Sequence, residues 1–254
     1  MVDSYACLGG LPQDLNFDPN SLTYLRIGDY NVFREGVTLS RATGEGNATV
    51  VGNHTYWMAQ SHVGHNAVVG DRVVMVNGSA LGGYAQVGDG AILSAHVVVH
   101  QFCRIGDLVM GQGNAAVSCH VPPYVIFGKG VNHVMGLNSV GLRRAEHITR
   151  EDRRQVKEAF RMTYQSGRTL GEALKEMDAC TDWGEVAGKF GAFIRYVLTA
   201  SKPYRRPVCP LKGSRGFRTI AVPKKEEELE QDVCKRSRVQ GSGVQEKWTN
   251  GVLE

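Results

Sequence analysis

From Val51 onward, a large apolar residue recurs at every sixth position: Val51, Trp57, Val63, Val69, Met75, Leu81, Val87, Leu93, Val99, Ile105 and Val117, with Gly111 as the single interruption. Four residues after each comes a small one, from Thr55, Ser61 and Ala67 through Ala115 to Val121. Two inward positions per six residues, one large and one small, are thereby fixed. A period of six is neither the 3.6 of a helix nor the alternation of a long strand, so each hexad is a short strand followed by a turn. Three such sides close a coil of eighteen residues, and coils stacked at about 4.8 Å bury the large residues along one axis. The expected fold is therefore mainly β, a parallel β-helix. The frame extends back through Ile27, Phe33 and Leu39, with Arg41 to Val50 as a protruding loop. A Gly-rich β-sandwich is the alternative, but it requires no six-residue register.

The glycine content supports frequent tight corners: 31 of 254 residues, against an average usage of about 7%. After Pro122-Pro123 the hexad period ends. Thr149 with Asp152 offers a helix start, running to Ser166-Gly167; Thr169 caps a second helix through Met177; a third covers Glu185 to Thr199. The chain is thus divided into a β-helix over residues 1–135, a C-terminal helical domain over 136–200, and a basic, disordered tail over 201–254. That tail holds 12 Lys and Arg against 7 Asp and Glu, so the body is not a basic, nucleic-acid-like surface.

Six scattered cysteines without a C-x-x-C pair indicate neither a zinc site nor a disulfide framework, and fit a reducing cytoplasm. No apolar run approaches the roughly 18 residues of a membrane span, and Met1 to Cys7 lacks the regions of a signal peptide. A cytoplasmic protein without membrane insertion is expected.

Hexad arithmetic also places candidate chemistry. His65 and Gly83 are one coil apart, so Gly83 stacks over His65, and His62 lies near the same corner. Histidine, with an ordinary pKa of about 6.5, is suited to take a proton from a hydroxyl at neutral pH. A glycine can lend an unobstructed N–H to a developing oxyanion. Together they provide what acyl transfer to a hydroxyl requires. His62, His65, His96 and His100 also permit a zinc reading, as in hexapeptide-repeat carbonic anhydrases, whose ligands include two histidines five apart; the spacings here are three and four. A third reading is a solvated histidine on a solenoid face.

Several segments resemble one family. Leu8-Gly-Gly-Leu-Pro-Gln-Asp-Leu15, Ser61-His-Val-Gly-His65, Val99-His-Gln-Phe-Cys103, Val121-Pro-Pro-Tyr-Val-Ile126, Gly141-Leu-Arg-Arg144 and Tyr164-Gln-Ser-Gly-Arg-Thr-Leu170 are similar to signature stretches of the bacterial UDP-N-acetylglucosamine 3-O-acyltransferases. The resemblance implies a left-handed coil, against the usual right-handed crossover, and a homotrimer with sites between subunits. It implies transfer of a 3-hydroxyacyl chain from acyl carrier protein to UDP-N-acetylglucosamine, without metal or cofactor, as the first step of lipid A synthesis. His65 matches the general base and Gly83 the oxyanion glycine. Gln13 and Asp14 match residues that hold the sugar, and His62, His100 and Gln101 match others lining the nucleotide-sugar site. Asn138 and Arg144 match positions at the nucleotide end, where a guanidinium suits phosphate, and Gly113 matches the acyl-chain ruler.

Departures from the family pattern are part of the reading. Asn66 stands where the family commonly has Asp to orient the base, Asn16 replaces a Lys, Tyr84 replaces a His beside the oxyanion glycine, and Val140 and Ala145 replace polar residues. Family members carry further coils before the Gly-Gly-Leu-Pro-Gln-Asp segment, which implies an N-terminally shortened chain. An inactive β-helical remnant and a sibling acyltransferase with another acceptor are the competing readings.

Overall fold

The computed structural model describes residues 1–128 and 130–213. Within them the chain winds through three parallel faces. The first face carries strands Cys7–Gly10, Thr38–Ser40, His62–Val63, Ala80–Leu81, Val98–Val99 and Ala116–Val117. The second carries Tyr24–Ile27, Ala48–Val51, Val68–Val69, Gln86–Val87 and Arg104–Ile105. The third runs from Val32–Phe33 through Tyr56–Trp57, Val74–Met75, Ile92–Leu93 and Met110–Gly111 to Val125–Phe127 and Val134–Leu137. Through the regular coils pairing is parallel with an eighteen-residue register, as in Leu81 opposite Val63 and Val99 opposite Leu81; the last pair, Val125–Phe127 with Val134–Leu137, is antiparallel.

Both inward positions of the hexad are buried as their spacing requires. Trp57, Val63, Met75, Leu81, Leu93 and Val99 lie on the axis without solvent exposure, and Ala67, Val73, Ala85, Ala91 and Val97 fill the spaces beside them. Gly111 interrupts the large series because Phe127 occupies the axis there: a Cβ on Gly111 would come within 2.6 Å of the Phe127 ring. The volume is kept while the residue that supplies it changes.

The corners explain how many coils are held. Every sixth residue has a positive φ, including His54, Gln60, Asn66, Arg72, Tyr84, His96, Phe102, Leu108 and Asn114. A non-glycine residue in that region costs about 1 kcal/mol or more. The conformation turns its N–H along the axis, onto a carbonyl of the coil below: Arg72 donates to Asn53, Tyr84 to His65, His96 to Asn77 and Leu108 to Asp89, all within 3.0 Å. The hydrogen bond offsets the backbone cost and ties successive coils together.

Residues 41–47 break the pattern. Strand register across them is 24 instead of 18, with Ile27 opposite Val51, Phe33 opposite Trp57 and Leu39 opposite Val63. The loop expected over Arg41 to Val50 is shorter than that, since the strand Ala48–Val51 begins inside it.

Four helices follow: α1 (Ser139–Arg144), α2 (Arg150–Tyr164), α3 (Leu170–Ala179) and α4 (Glu185–Thr199). The capping pair Thr149 with Asp152 starts α2, and Thr169 with Glu172 starts α3, each through reciprocal bonds. Sequence spacing gave no sign of α1, whose start is the Asn138 side chain accepting from Gly141 N–H at 2.9 Å. None of the described helices is long and apolar enough to cross a membrane.

Two expectations are corrected. Cys119 and Cys209 form a disulfide across 90 residues of chain, with Cα atoms 5.4 Å apart; both lie outside any strand, so no spacing rule could pair them. The segment over residues 201–213 is not a loose tail. Val208 and Cys209 are buried, His120 donates its N–H to Pro207 and accepts from Cys209, and Leu211 bridges to Val134. The remainder of the predicted tail, residues 214–254, lies outside the described residues.

Candidate active site

His65 and Asn66 form the corner between the first and second faces. One coil above lie Gly83 and Tyr84, and one further Gln101 and Phe102; Tyr84 donates its N–H to the His65 carbonyl at 2.8 Å and Phe102 donates to Gly83 at 3.1 Å. Gly83 therefore sits over His65, as the repeat predicts. A Cβ on Gly83 would come within 2.7 Å of His65 Nε2 and 2.9 Å of Cε1, so only glycine leaves the imidazole its place. The Gly83 carbonyl is used by Phe102, whereas its N–H finds no acceptor among the described residues.

Asn66 determines which nitrogen of His65 carries the proton. Its Nδ2 donates to the Thr43 carbonyl at 3.0 Å, and its Oδ1 accepts from the Thr43 N–H at 2.8 Å. The Thr43 N–H, its hydroxyl, which also donates to Oδ1, and its carbonyl together hold the amide orientation, because the flipped amide would set donor against donor. His65 Nδ1 lies 2.9 Å from the same Oδ1, so Nδ1 is the protonated nitrogen. Nε2 keeps its lone pair on the side of Gly83.

His62, on the first-face strand, is half-buried and bonds Thr38 Oγ1 through Nδ1 at 2.8 Å; burial pushes its pKa below the ordinary value, and the Thr38 contact pulls less strongly the other way. His100 is exposed, with Nδ1 3.1 Å from the Gln101 carbonyl. Gln101 is exposed one coil above Gly83. Tyr84 stacks on Phe102 at 5.0 Å, Tyr204 meets both edge-on at 6.4 and 5.4 Å, and Tyr84 meets the His65 ring edge-on at 5.3 Å. The base thus has an aromatic wall on one side.

The other candidate residues are spread around the coil. Gln13 and Asp14 follow the first strand of the first face; Asp14 Oδ1 accepts from Asn16 N–H at 2.9 Å in a local turn. Gly113 lies exposed at the corner between the third and first faces, where a Cβ would touch only the Ala95 carbonyl, at 3.4 Å. Asn138 follows the third face; its Nδ2 donates to Leu108 at 2.8 Å and its Oδ1 caps α1, so both ends of the amide are engaged inside the chain. Arg144 is exposed in the last turn of α1. His96 belongs to the third corner, against Gly78, apart from His65. Among the described residues no group of three His, Cys, Asp or Glu side chains is placed to hold a metal ion.

Sequence reasoning missed Thr43, Phe102 and Tyr204. Thr43 lies in the one stretch where the hexad frame fails, so no arithmetic places it. Phe102 was legible, being one coil above Tyr84, while Tyr204 arrives from a segment with no repeat at all.

A coil of hexads bearing a histidine with one open nitrogen, beside a glycine with an open N–H, defines a hexapeptide-repeat β-helix protein with a candidate site at that corner. Residues 120–206 match the family model described as UDP-N-acetylglucosamine O-acyltransferase, domain 2. Acyl-[acyl-carrier-protein]--UDP-N-acetylglucosamine O-acyltransferases from Anaeromyxobacter and Stenotrophomonas maltophilia are 36% and 37% identical, over 75% and 80% of this chain and 74% and 76% of theirs. The one from Gloeothece citriformis is 38% identical over 68% of this chain, which spans 62% of that relative's length. The crystal structure of LpxA from Bacteroides fragilis superposes with a TM-score of 0.72 at 33% identity, covering 82% of this chain and 78% of that one. The chain belongs to the UDP-N-acetylglucosamine O-acyltransferase family, and its coil is the family's left-handed β-helix.

Proposed function

We propose that the protein moves a 3-hydroxyacyl chain from acyl carrier protein to the 3-hydroxyl of UDP-N-acetylglucosamine, the first step of lipid A synthesis, in the cytoplasm. The observation that carries this reading is the pair formed by the open Nε2 of His65 and the open N–H of Gly83 on adjacent coils. Nε2 takes the proton of the sugar hydroxyl as its oxygen attacks the thioester carbonyl; Gly83 N–H donates to the resulting oxyanion. The C–S bond then breaks, and the imidazolium returns its proton to the departing thiolate.

In this reading Gln13, Asp14, His62, His100 and Gln101 hold the sugar nucleotide, and Arg144 meets its phosphates. Asn138 serves by fixing the start of α1, since its amide is already engaged. The open side of Gly113 leaves room for the acyl chain. His65, Gly113 and Asn138 lie at three different corners of the β-helix and on different coils, so a complete site draws on a neighbouring copy. That separation supports a homotrimer.

The test is transfer from 3-hydroxyacyl carrier protein to UDP-N-acetylglucosamine by the full chain. His65→Ala should lower turnover by about 10³-fold, within the range for loss of a general base, with size and circular dichroism unchanged. Full activity in that variant sinks the proposal.

A further inference from the structure

Loops that leave a repeat register usually have to dispose of their own backbone polar groups. The loop over residues 41–47 does so in an unusual way: three groups of Thr43 converge on one side chain. Its N–H donates to Asn66 Oδ1 at 2.8 Å, its Oγ1 to the same oxygen at 2.9 Å, and its carbonyl accepts from Asn66 Nδ2 at 3.0 Å. Thr43 itself is buried, with 9% exposure. It is anchored by Asn47, which donates Nδ2 to its carbonyl at 2.9 Å, and by Tyr84, whose hydroxyl lies 3.1 Å from Thr43 Oγ1. Because the Thr43 hydroxyl proton is committed to Asn66 Oδ1, which can only accept, the Tyr84 hydroxyl is the donor in that last bond.

We infer that Thr43 is a positioning residue for the base: it holds Asn66 as an obligate acceptor, which in turn keeps the proton on His65 Nδ1 and leaves Nε2 able to take one from a substrate hydroxyl. The inference rests on His65 acting as the base. Tyr84 is the outer end of the same relay, so the residue beside the oxyanion glycine acts on His65 through Thr43 as well as through its ring. The arrangement suits an amide at position 66. A carboxylate there would set its second oxygen against the Thr43 carbonyl, where Nδ2 now donates.

Selective ¹⁵N labelling of histidine in the full chain reads the relay without any substrate, with the His65 signal assigned through the His65→Ala variant. In the parent protein His65 should show a protonated Nδ1 and an unprotonated Nε2. Thr43→Val keeps the backbone groups but removes the hydroxyl; it should shift His65 toward a mixture of tautomers and lower kcat by about tenfold, with KM within about twofold, as expected for loss of one hydrogen bond that orients a catalytic group. Thr43→Ser should restore both readouts. Tyr84→Phe should show the same shift more weakly. A Thr43→Val protein with the parental tautomer overturns the inference, whether or not its activity falls, and so does a Thr43→Ser protein that is folded but fails to restore the tautomer. If the tautomers behave as expected while neither the parent nor any variant transfers acyl groups, it is the acyltransferase reading that fails and the relay that stands.

Discussion

Two corners of the same coil treat the same backbone group in opposite ways. At the corner between the second and third faces, N–H groups that precede positive-φ residues are taken by a side chain from the coil above: Asn53 N–H donates to Asp71 Oδ1 at 2.7 Å, and Asp71 N–H to Asp89 Oδ1 at 2.9 Å. The glycines before Asn53 and Asp71, Gly52 and Gly70, leave room that a Cβ would take from those carboxylates, as Gly88 does for Asp107. At the corner between the first and second faces the equivalent N–H is that of Gly83, and the residue above it is Gln101, which does not accept it. A structural ladder and a candidate oxyanion site thus share one geometry, and differ by whether the next coil supplies an acceptor.

The largest effect should come from Gly83→Ala, whose Cβ would displace the His65 ring. Turnover should fall by about 10²-fold or more in a protein whose denaturant midpoint is little changed, since the clash is with a half-buried side chain and not with backbone. Close behind, Gln101→Asp should build on this corner the acceptor that Asp71 and Asp89 provide on the other. If the carboxylate captures Gly83 N–H, turnover falls by about 10²-fold while the fold gains nothing or slightly firms; unchanged kcat would show that the two corners are not equivalent. Conversely, Asp89→Ala orphans the Asp71 N–H and should cost about 1 kcal/mol in urea unfolding, with kcat unaffected.

The smallest effect concerns a second histidine, His120, at the helical end. It is fully buried, its Nδ1 accepts from Arg104 N–H at 3.0 Å, and its Nε2 donates to the Tyr204 carbonyl at 2.9 Å. Where His65 has one nitrogen open, His120 has both engaged. Burial, outweighing the Tyr204 bond, pushes its pKa down, so between the two pKa values the unfolded chain binds the extra proton. Its contribution to stability is present above the unfolded value of about 6.5 and is lost as pH falls from there toward the depressed folded value. Urea midpoints should therefore decline below about pH 6.5, and His120→Gln should flatten that decline.

The His65 corner was partly legible because stacking follows from counting: residues eighteen apart must meet, so Gly83 over His65 needed no coordinates. The locking of Asn66 was not legible. Thr43 reaches it from 23 residues away through a 24-residue coil, and a count of six cannot say where a loop folds. Asn138 shows the same limit in reverse, because a residue matched to the nucleotide end turns out to cap α1 and bond Leu108.

By itself, the sequence determined the coil, the axis that fills it and the helix starts at Thr149 and Thr169, because periodicity and capping are local and repeat with the chain. Only the tertiary structure decided which N–H groups stay open, which nitrogen of His65 is basic, and that Cys119 meets Cys209. Those outcomes depend on groups brought together from distant stretches, where a single donor or acceptor more or less changes the result and leaves no period behind.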